Sequence, residues 1–162
     1  MNNNTAERSI NTCLSELDKI KMLIEGMGGA SHPVPFLTKY AIIKSCGTIE
    51  FCFKTIISDI HSNQSQQIVR YINTTFRFSS INPTKDNICR CLNRFDKAWN
   101  ENFKQGLVNH PHRSKIEDSL KSLNNARNDF AHGGHPTTSF ENVKEYFSDS
   151  VEIIKILDVI VR

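Results

Sequence analysis

The fold of this chain is decided by residues 36–61, FLTKYAIIKSCGTIEFCFKTIISDIH. On a helix, the apolar side chains of this stretch occupy most of the circumference, and the clearest polar strip holds only Lys44, Thr48, Thr55 and Asp59. A helix that is apolar on most sides needs neighbours on most sides. The stretch therefore predicts a long, buried helix at the centre of the molecule.

The segments on either side of this stretch carry the patterns of further helices. Apolar side chains recur at helical spacing over residues 5–25 and, less regularly, over 65–78. Thr84 fits the cap of a helix that has Phe95 and Trp99 as core positions, whereas residues 100–112 suggest a frayed helix or a loop. Two Ser/Thr-x-x-Glu patterns, Ser114 to Glu117 and Thr138 to Glu141, predict the starts of the last two helices. We expect one all-α domain over residues 1–162, a bundle of five or six helices around the central one.

Composition restricts the class of protein only loosely. The formal net charge of +3 is compatible with nucleic acid but does not by itself indicate it. No uncharged apolar run approaches the roughly 18 residues that a membrane span needs, and no signal-peptide core follows the polar N-terminus. These features predict a cytoplasmic protein with no membrane partner. The five cysteines are an odd number, and the Cys89-x-Cys91 pair is too tight for the usual zinc half-site, so free thiols are expected.

Two opposite charges occupy apolar positions on separate predicted helices. Glu50 lies by angle on the apolar face of the central helix, and Arg127 lies within the apolar stripe of a later helix that includes Leu123 and Phe130. Because an isolated buried charge is costly, we predict that Glu50 and Arg127 pair, within one chain or across a dimer. The alternative is that Glu50 reaches past a neighbouring helix to water.

The same later helix ends in Arg127-Asn128-Asp129-Phe130-Ala131-His132-Gly133-Gly134, and either glycine could supply a left-handed helix cap. Arg127 and His132 lie about 140° apart on a helix, so a site that uses both needs a bend at the helix end or a second copy of the motif. A symmetric dimer would bring two arginines, two asparagines and two histidines together. An imidazole can move the proton of a ribose 2′-hydroxyl, and a guanidinium can stabilise the phosphorane. Taken singly, these side chains have ordinary structural uses, such as a histidine that favours the C-terminal helix dipole.

As a unit, this stretch resembles the signature of the HEPN superfamily of helical domains, an arginine, four to six variable residues and a histidine, often with a polar residue after the arginine. The resemblance is greatest to the stand-alone prokaryotic RiboL-PSP type. It implies a metal-independent endoribonuclease with a composite site in a homodimer and no cofactor. Arg127 and His132 would be catalytic, Asn128 would assist them, and Glu50 would orient the arginine. Such proteins often act as toxins or defence effectors, some restrained by an antitoxin, whereas others only bind nucleotide, RNA or protein.

Two other groups of residues are candidate sites. A metal cluster of His110, His112, His132 and His135 is disfavoured, because loops and a helix end leave its geometry undefined. Basic residues are also frequent in the middle of the chain, where they could follow an RNA backbone or form a solvated helix face. Phe95 and Trp99 beside them are predicted to be core residues rather than base-stacking platforms. The basic residues are Lys85, Arg90, Arg94, Lys97, Lys104, Arg113, Lys115 and Lys121.

Overall fold

The computed structural model describes residues 1–134 and 137–162, and these residues form α-helices joined by short connections, with no strand. The prediction of an all-α fold is therefore confirmed, although the described residues contain seven α-helices rather than five or six. The α-helices are α1 (Asn4–Met27), α2 (Val34–Asp59), α3 (Gln66–Ile72), α4 (Lys85–Phe95), α5 (Lys97–Asn109), α6 (Arg113–Ala131) and α7 (Phe140–Ile160), and a π-helical segment (Asn73–Arg77) continues α3.

Helix α2 is the central element of the bundle, as its sequence predicts. It packs against α1, α6, α7 and the π-helical segment. Much of the polar strip expected on its surface is also buried, because α1 packs nearby. Thr48 and Thr55 are buried, and Lys44 forms an ion pair of 2.9 Å with Glu16 of α1. Buried side chains from every α-helix except α3, together with Phe76 of the π-helical segment, form one continuous hydrophobic cluster.

The additional helices come from the middle of the chain. The helix that begins after Thr84 does not run on to Trp99, because the Asp96 side chain accepts a hydrogen bond from the amide of Ala98 (2.6 Å) and starts a new helix there. Residues expected to be frayed or looped therefore belong to a regular helix, α5. Phe95 and Trp99 are half-buried against the core, where their rings lie 5.5 and 6.3 Å from the ring of His61.

The predicted helix caps are partly correct. Thr84 caps α4, and Ser139, rather than Thr138, caps α7 through a hydrogen bond from the amide of Asn142. The capping box of Ser114 and Glu117 is wrong, because α6 begins at Arg113, so that Ser114 lies inside the helix, and the cap residue His112 makes no side-chain capping hydrogen bond. The Glu117 carboxylate instead accepts hydrogen bonds from Lys85 (2.7 Å) and Arg113 (3.1 Å), and bonds between ionised groups are stronger than a bond to a backbone amide.

The cysteines agree with the prediction from the sequence, since all five are free. In the described part of the chain, no helix combines the length and the apolar character needed to cross a membrane.

Candidate functional site: an arginine-lined cleft beside the end of α6

Helix α6 ends in a glycine cap of the predicted kind. Gly133 has a φ of +81°, and its amide donates to the carbonyl of Phe130 (3.1 Å), while the amide of Gly134 donates to the carbonyl of Asp129 (2.8 Å). These two bonds define the Schellman motif. A Cβ atom on Gly134 would lie 2.8 Å from the Asp129 carbonyl oxygen, so the second position also requires glycine. The cap leaves His132 exposed at the C-terminal end of the helix.

One turn before this end, Arg127 lines a cleft of about 440 Å³. The cleft lies between α6, α4 and the loop that precedes α4. Arg90 and Arg94 of α4 line it together with Arg127, so that three guanidinium-bearing side chains share one opening. The other lining residues are Ser80, Ile81, Asn82, Asn87 and Cys91.

Asn128 connects Arg127 to the loop that forms one wall of the cleft. Its side-chain oxygen accepts a hydrogen bond from Arg127 Nη1 (3.2 Å) and another from Asn82 Nδ2 (3.1 Å). One turn earlier on α6, Asn124 Nδ2 donates to the carbonyl of Pro83 (3.2 Å). Asn128 therefore holds Arg127 and the wall of the cleft in one hydrogen-bonded network.

Glu50 supports the same wall from the other side, and its partners differ from the predicted one. Its Oε1 atom accepts hydrogen bonds from Lys54 Nζ (2.8 Å) and from the amide of Ile81 (2.9 Å). Lys54 also donates to the carbonyl of Ser79. The side chain of Glu50 is 19% exposed to solvent, and that of Lys54 is 9% exposed.

The predicted pairing of Glu50 with Arg127 inside one chain is therefore wrong. Among the residues that the structure describes, Arg127 forms no ion pair with a carboxylate, and its hydrogen bond is to Asn128. The reason is local, because residues four apart lie only about 40° apart around a helix and so share a face. Lys54 can thus reach the Glu50 carboxylate from the next turn of α2.

Arg127 and Glu50 nevertheless lie in the same region, because the charges of both act on the Cys46 thiol. Burial raises the pKa of the Cys46 thiol to about 12, while the positive charge of Arg127 lowers it and the negative charge of Glu50 raises it. The thiol donates to the carbonyl of Leu123 on α6 (3.4 Å) and so stays protonated at neutral pH. Cys46 therefore lies near both charged groups as a neutral side chain.

A single chain brings together some of the predicted site residues but not all. Arg127 and Asn128 are hydrogen-bonded, and Glu50 reaches the cleft through the loop, whereas His132 is not among the residues that line the cleft. Sequence reasoning missed Asn82 and Lys54 as parts of the site. The i, i+4 spacing of Lys54 from Glu50 was a usable signal, but nothing local indicated Asn82.

The histidine cluster has no support in the part of the chain described. The rings of His110 and His112 make an edge-on contact, with centroids 6.2 Å apart, in the turn before α6, and His135 lies outside the described residues. Within residues 1–134 and 137–162, no three histidine, cysteine or acidic side chains are placed to hold a metal ion.

An all-α bundle whose penultimate helix carries Arg127 and His132 at a glycine-capped end has the features of a HEPN domain. The model of the RiboL-PSP-HEPN family matches residues 2–162, and the chain belongs to this family. No curated protein and no solved structure gives a significant match.

Proposed function

We propose that the protein is a metal-independent endoribonuclease whose site combines Arg127, Asn128 and His132. The observation that carries the proposal is the cleft in which Arg127 lies. The cleft is lined by Arg127, the arginine of the HEPN motif, and by two further arginines. No acidic side chain is among its lining residues. Such a surface attracts a phosphodiester and disfavours a divalent cation.

In this mechanism the His132 imidazole of one protomer accepts the proton of a ribose 2′-hydroxyl. The 2′-oxygen then forms a bond to the adjacent phosphorus, and the bond from phosphorus to the 5′-oxygen breaks. The products are a 2′,3′-cyclic phosphate and a 5′-hydroxyl, and the leaving 5′-oxygen takes its proton from the His132 side chain of the other protomer, which starts in the protonated imidazolium form. Arg127 stabilises the extra negative charge of the phosphorane, and Asn128 fixes the guanidinium through its hydrogen bond.

The proposed site is completed by a second copy of the chain, because His132 is not a lining residue of its own cleft. The outer face of α2 beside the motif carries apolar side chains that suit this contact. Phe36 and Ile43 are 62% and 41% exposed. The Lys39 ammonium lies 6.0 Å from the ring of Phe36 and 5.4 Å from the ring of Phe130, and so connects this face to the motif helix. We propose a homodimer with Phe130–Gly134 near its two-fold axis.

We expect Ile43→Asp to convert the protein to a monomer and to abolish RNA cleavage, because a carboxylate would have to be buried in the dimer contact. Light scattering at micromolar concentration measures the oligomeric state, and a melting curve checks that the fold is kept. Val108→Asp is the matched control, since Val108 is 50% exposed on α5, away from α2. A wild-type protein that is monomeric at this concentration would contradict the proposed dimer.

The nuclease proposal is tested by incubating the purified protein with total RNA in EDTA, beside an Arg127→Ala/His132→Ala variant. We expect the wild-type protein to cut single-stranded or looped RNA, to leave 2′,3′-cyclic phosphate ends and to leave DNA intact, since DNA lacks the attacking hydroxyl. The double variant should be inactive. Cleavage that stops in EDTA and returns with magnesium, or equal cutting of DNA, would reject this mechanism.

A second candidate is a non-catalytic module that binds RNA, nucleotide or a partner protein. It is favoured by the position of His132 outside the cleft of its own chain, which leaves a single protomer with an anion-attracting surface but no base beside it. Binding of RNA without cleavage in the same experiment would support this candidate.

The biological setting that we propose is that of a cytoplasmic toxin or defence effector. An unrestrained endoribonuclease would damage the RNA of its own cell, and we therefore propose an antitoxin or another regulatory protein as a further partner.

A further inference from the structure

We propose that Arg90, Arg94 and Tyr71 form a nucleotide subsite that binds the RNA strand next to the scissile phosphate. Arg90 and Arg94 would hold backbone phosphates, and Tyr71 would stack on a base. The inference rests on the proposed function and extends it from the motif to α3 and α4.

Arg90 and Arg94 are placed on the same side of α4. They are four residues apart on α4 and therefore lie on one face of that helix, offset by about 6 Å along its axis. Both line the cleft that Arg127 enters from α6. Both also lower the pKa of the Cys91 thiol, although burial raises it overall, so their positive charges act on a residue that lines the cleft.

The charges of Arg90 and Arg94 are the second feature of the subsite. Arg90 and Arg94 form no ion pair with a carboxylate in the described ranges, in contrast to Arg77, which pairs with Asp59 at 2.7 Å, and Arg113, which pairs with Glu117. Within residues 1–134 and 137–162, the Arg90 side chain donates its hydrogen bond to a neutral group, Asn87 Oδ1, at 3.2 Å. Three like charges around one opening repel each other, and binding of a polyanion relieves that repulsion.

The helix dipole accounts for only one of these two exposed arginines. Arg94 lies in the last turn of α4, where a cation favours the helix dipole. Arg90 lies a full turn earlier, beyond the reach of that effect. An anion shared with Arg94 and Arg127 would account for the place of Arg90 in the lining of the cleft.

An apolar pocket of about 300 Å³ adjoins the arginine-lined cleft and shares Ile81, Cys91 and Arg94 with it. Its other lining residues are Tyr71, Ile72, Thr75, Phe76 and Phe95. Tyr71 is 69% exposed, so its ring can accept a stacked base. A phosphate-binding cleft that continues into an apolar, aromatic pocket fits a nucleotide within a strand better than it fits an isolated anion.

The subsite is tested by RNA binding in a His132→Ala background, in which the RNA stays intact. Fluorescence anisotropy of a labelled single-stranded RNA should give a Kd at least 10-fold higher for Arg90→Ala/Arg94→Ala. The slope of log affinity against log salt should fall by about 1.4, which is about 0.7 for each phosphate that is no longer neutralised. Tyr71→Ala should weaken binding about 10-fold, while Tyr71→Phe keeps the ring and the affinity.

The charge-matched control is Arg8→Ala/Lys19→Ala, which removes two exposed cations from α1. Arginine variants of the cleft that bind RNA as tightly as this control would overturn the subsite, whether or not the wild-type protein cleaves RNA. Equal or tighter binding of 5′-AMP would also overturn it, in favour of a free-nucleotide site. The wild-type protein could fail to cleave RNA while Arg90→Ala/Arg94→Ala still binds RNA more weakly. That pair of results would reject the nuclease and support the subsite.

Discussion

We expect replacement of His132 with alanine to abolish RNA cleavage and to leave the melting temperature of the protein unchanged. Loss of a general acid–base group lowers a rate by about 10²–10⁴-fold, and no other imidazole lies in the motif to replace it. The side chain is exposed at the helix end and buries little apolar surface. Initial rates on a quenched fluorescent RNA and a thermal melting curve measure the two effects separately.

The matched control for this prediction is His112→Ala. His112 is also exposed and precedes the first residue of α6, at the opposite end of the same helix from His132. Its removal should leave the cleavage rate unchanged. Arg127→Ala should lower the rate by about 10²–10³-fold, because it removes one donor to the transition-state charge. Wild-type activity in His132→Ala would exclude this histidine as the catalytic base and favour the binding module.

The parts of the fold that follow from local rules could be predicted from the sequence. The apolar circumference of α2 required neighbours on most sides, and Gly133 and Gly134 could end α6 in the left-handed cap that the structure contains. The break between α4 and α5 was missed, because the apolar spacing of Phe95 and Trp99 continued across it. The extended backbone of Asp96 nevertheless ends α4, and its side chain caps α5.

The site could be predicted only in part, because its central feature is tertiary. Arg127, Asn128 and His132 stand out in the sequence, but the cleft exists because the loop before α4 is fixed to α6 by Asn82 and Asn124. No periodicity brings these asparagines together. For the same reason the sequence left open whether the arginines of α4 were a solvated face or a nucleic-acid surface, and only the packing of α4 beside α6 places them with Arg127.

Replacing Glu50 with alanine should lower both the stability of the fold and the activity of the cleft. The change leaves the Lys54 ammonium, which is only 9% exposed, without its counter-ion, and it leaves the amide of Ile81 without its acceptor. Removal of one partner from a buried pair costs about 3–5 kcal/mol, and the 19% exposure of Glu50 favours the lower end. For a chain of this size, about 3 kcal/mol corresponds to a fall of about 6–12 °C in melting temperature.

The matched control is Glu16→Ala. This variant also removes a carboxylate that pairs with a lysine of α2, Lys44. Both side chains are about a third exposed, so the expected loss of stability is below about 1 kcal/mol. The loss of stability in Glu50→Gln should lie between those of Glu50→Ala and Glu16→Ala, since an amide oxygen can still accept the hydrogen bond from the amide of Ile81. A Glu50→Ala protein that melts at the wild-type temperature would contradict the structural role of the pair.

The effect of Glu50 on activity should persist after stability is restored. In Glu50→Ala/Lys54→Met no buried charge remains unpaired, so most of the missing stability should return. The loop bonds to Ile81 and Ser79 are still absent, and the wall of the cleft beside Arg127 stays loose. We therefore expect the double variant to melt near the wild-type temperature and to cleave RNA more slowly, with Glu50 acting as a positioning residue. Full activity in the double variant would restrict Glu50 to stability alone.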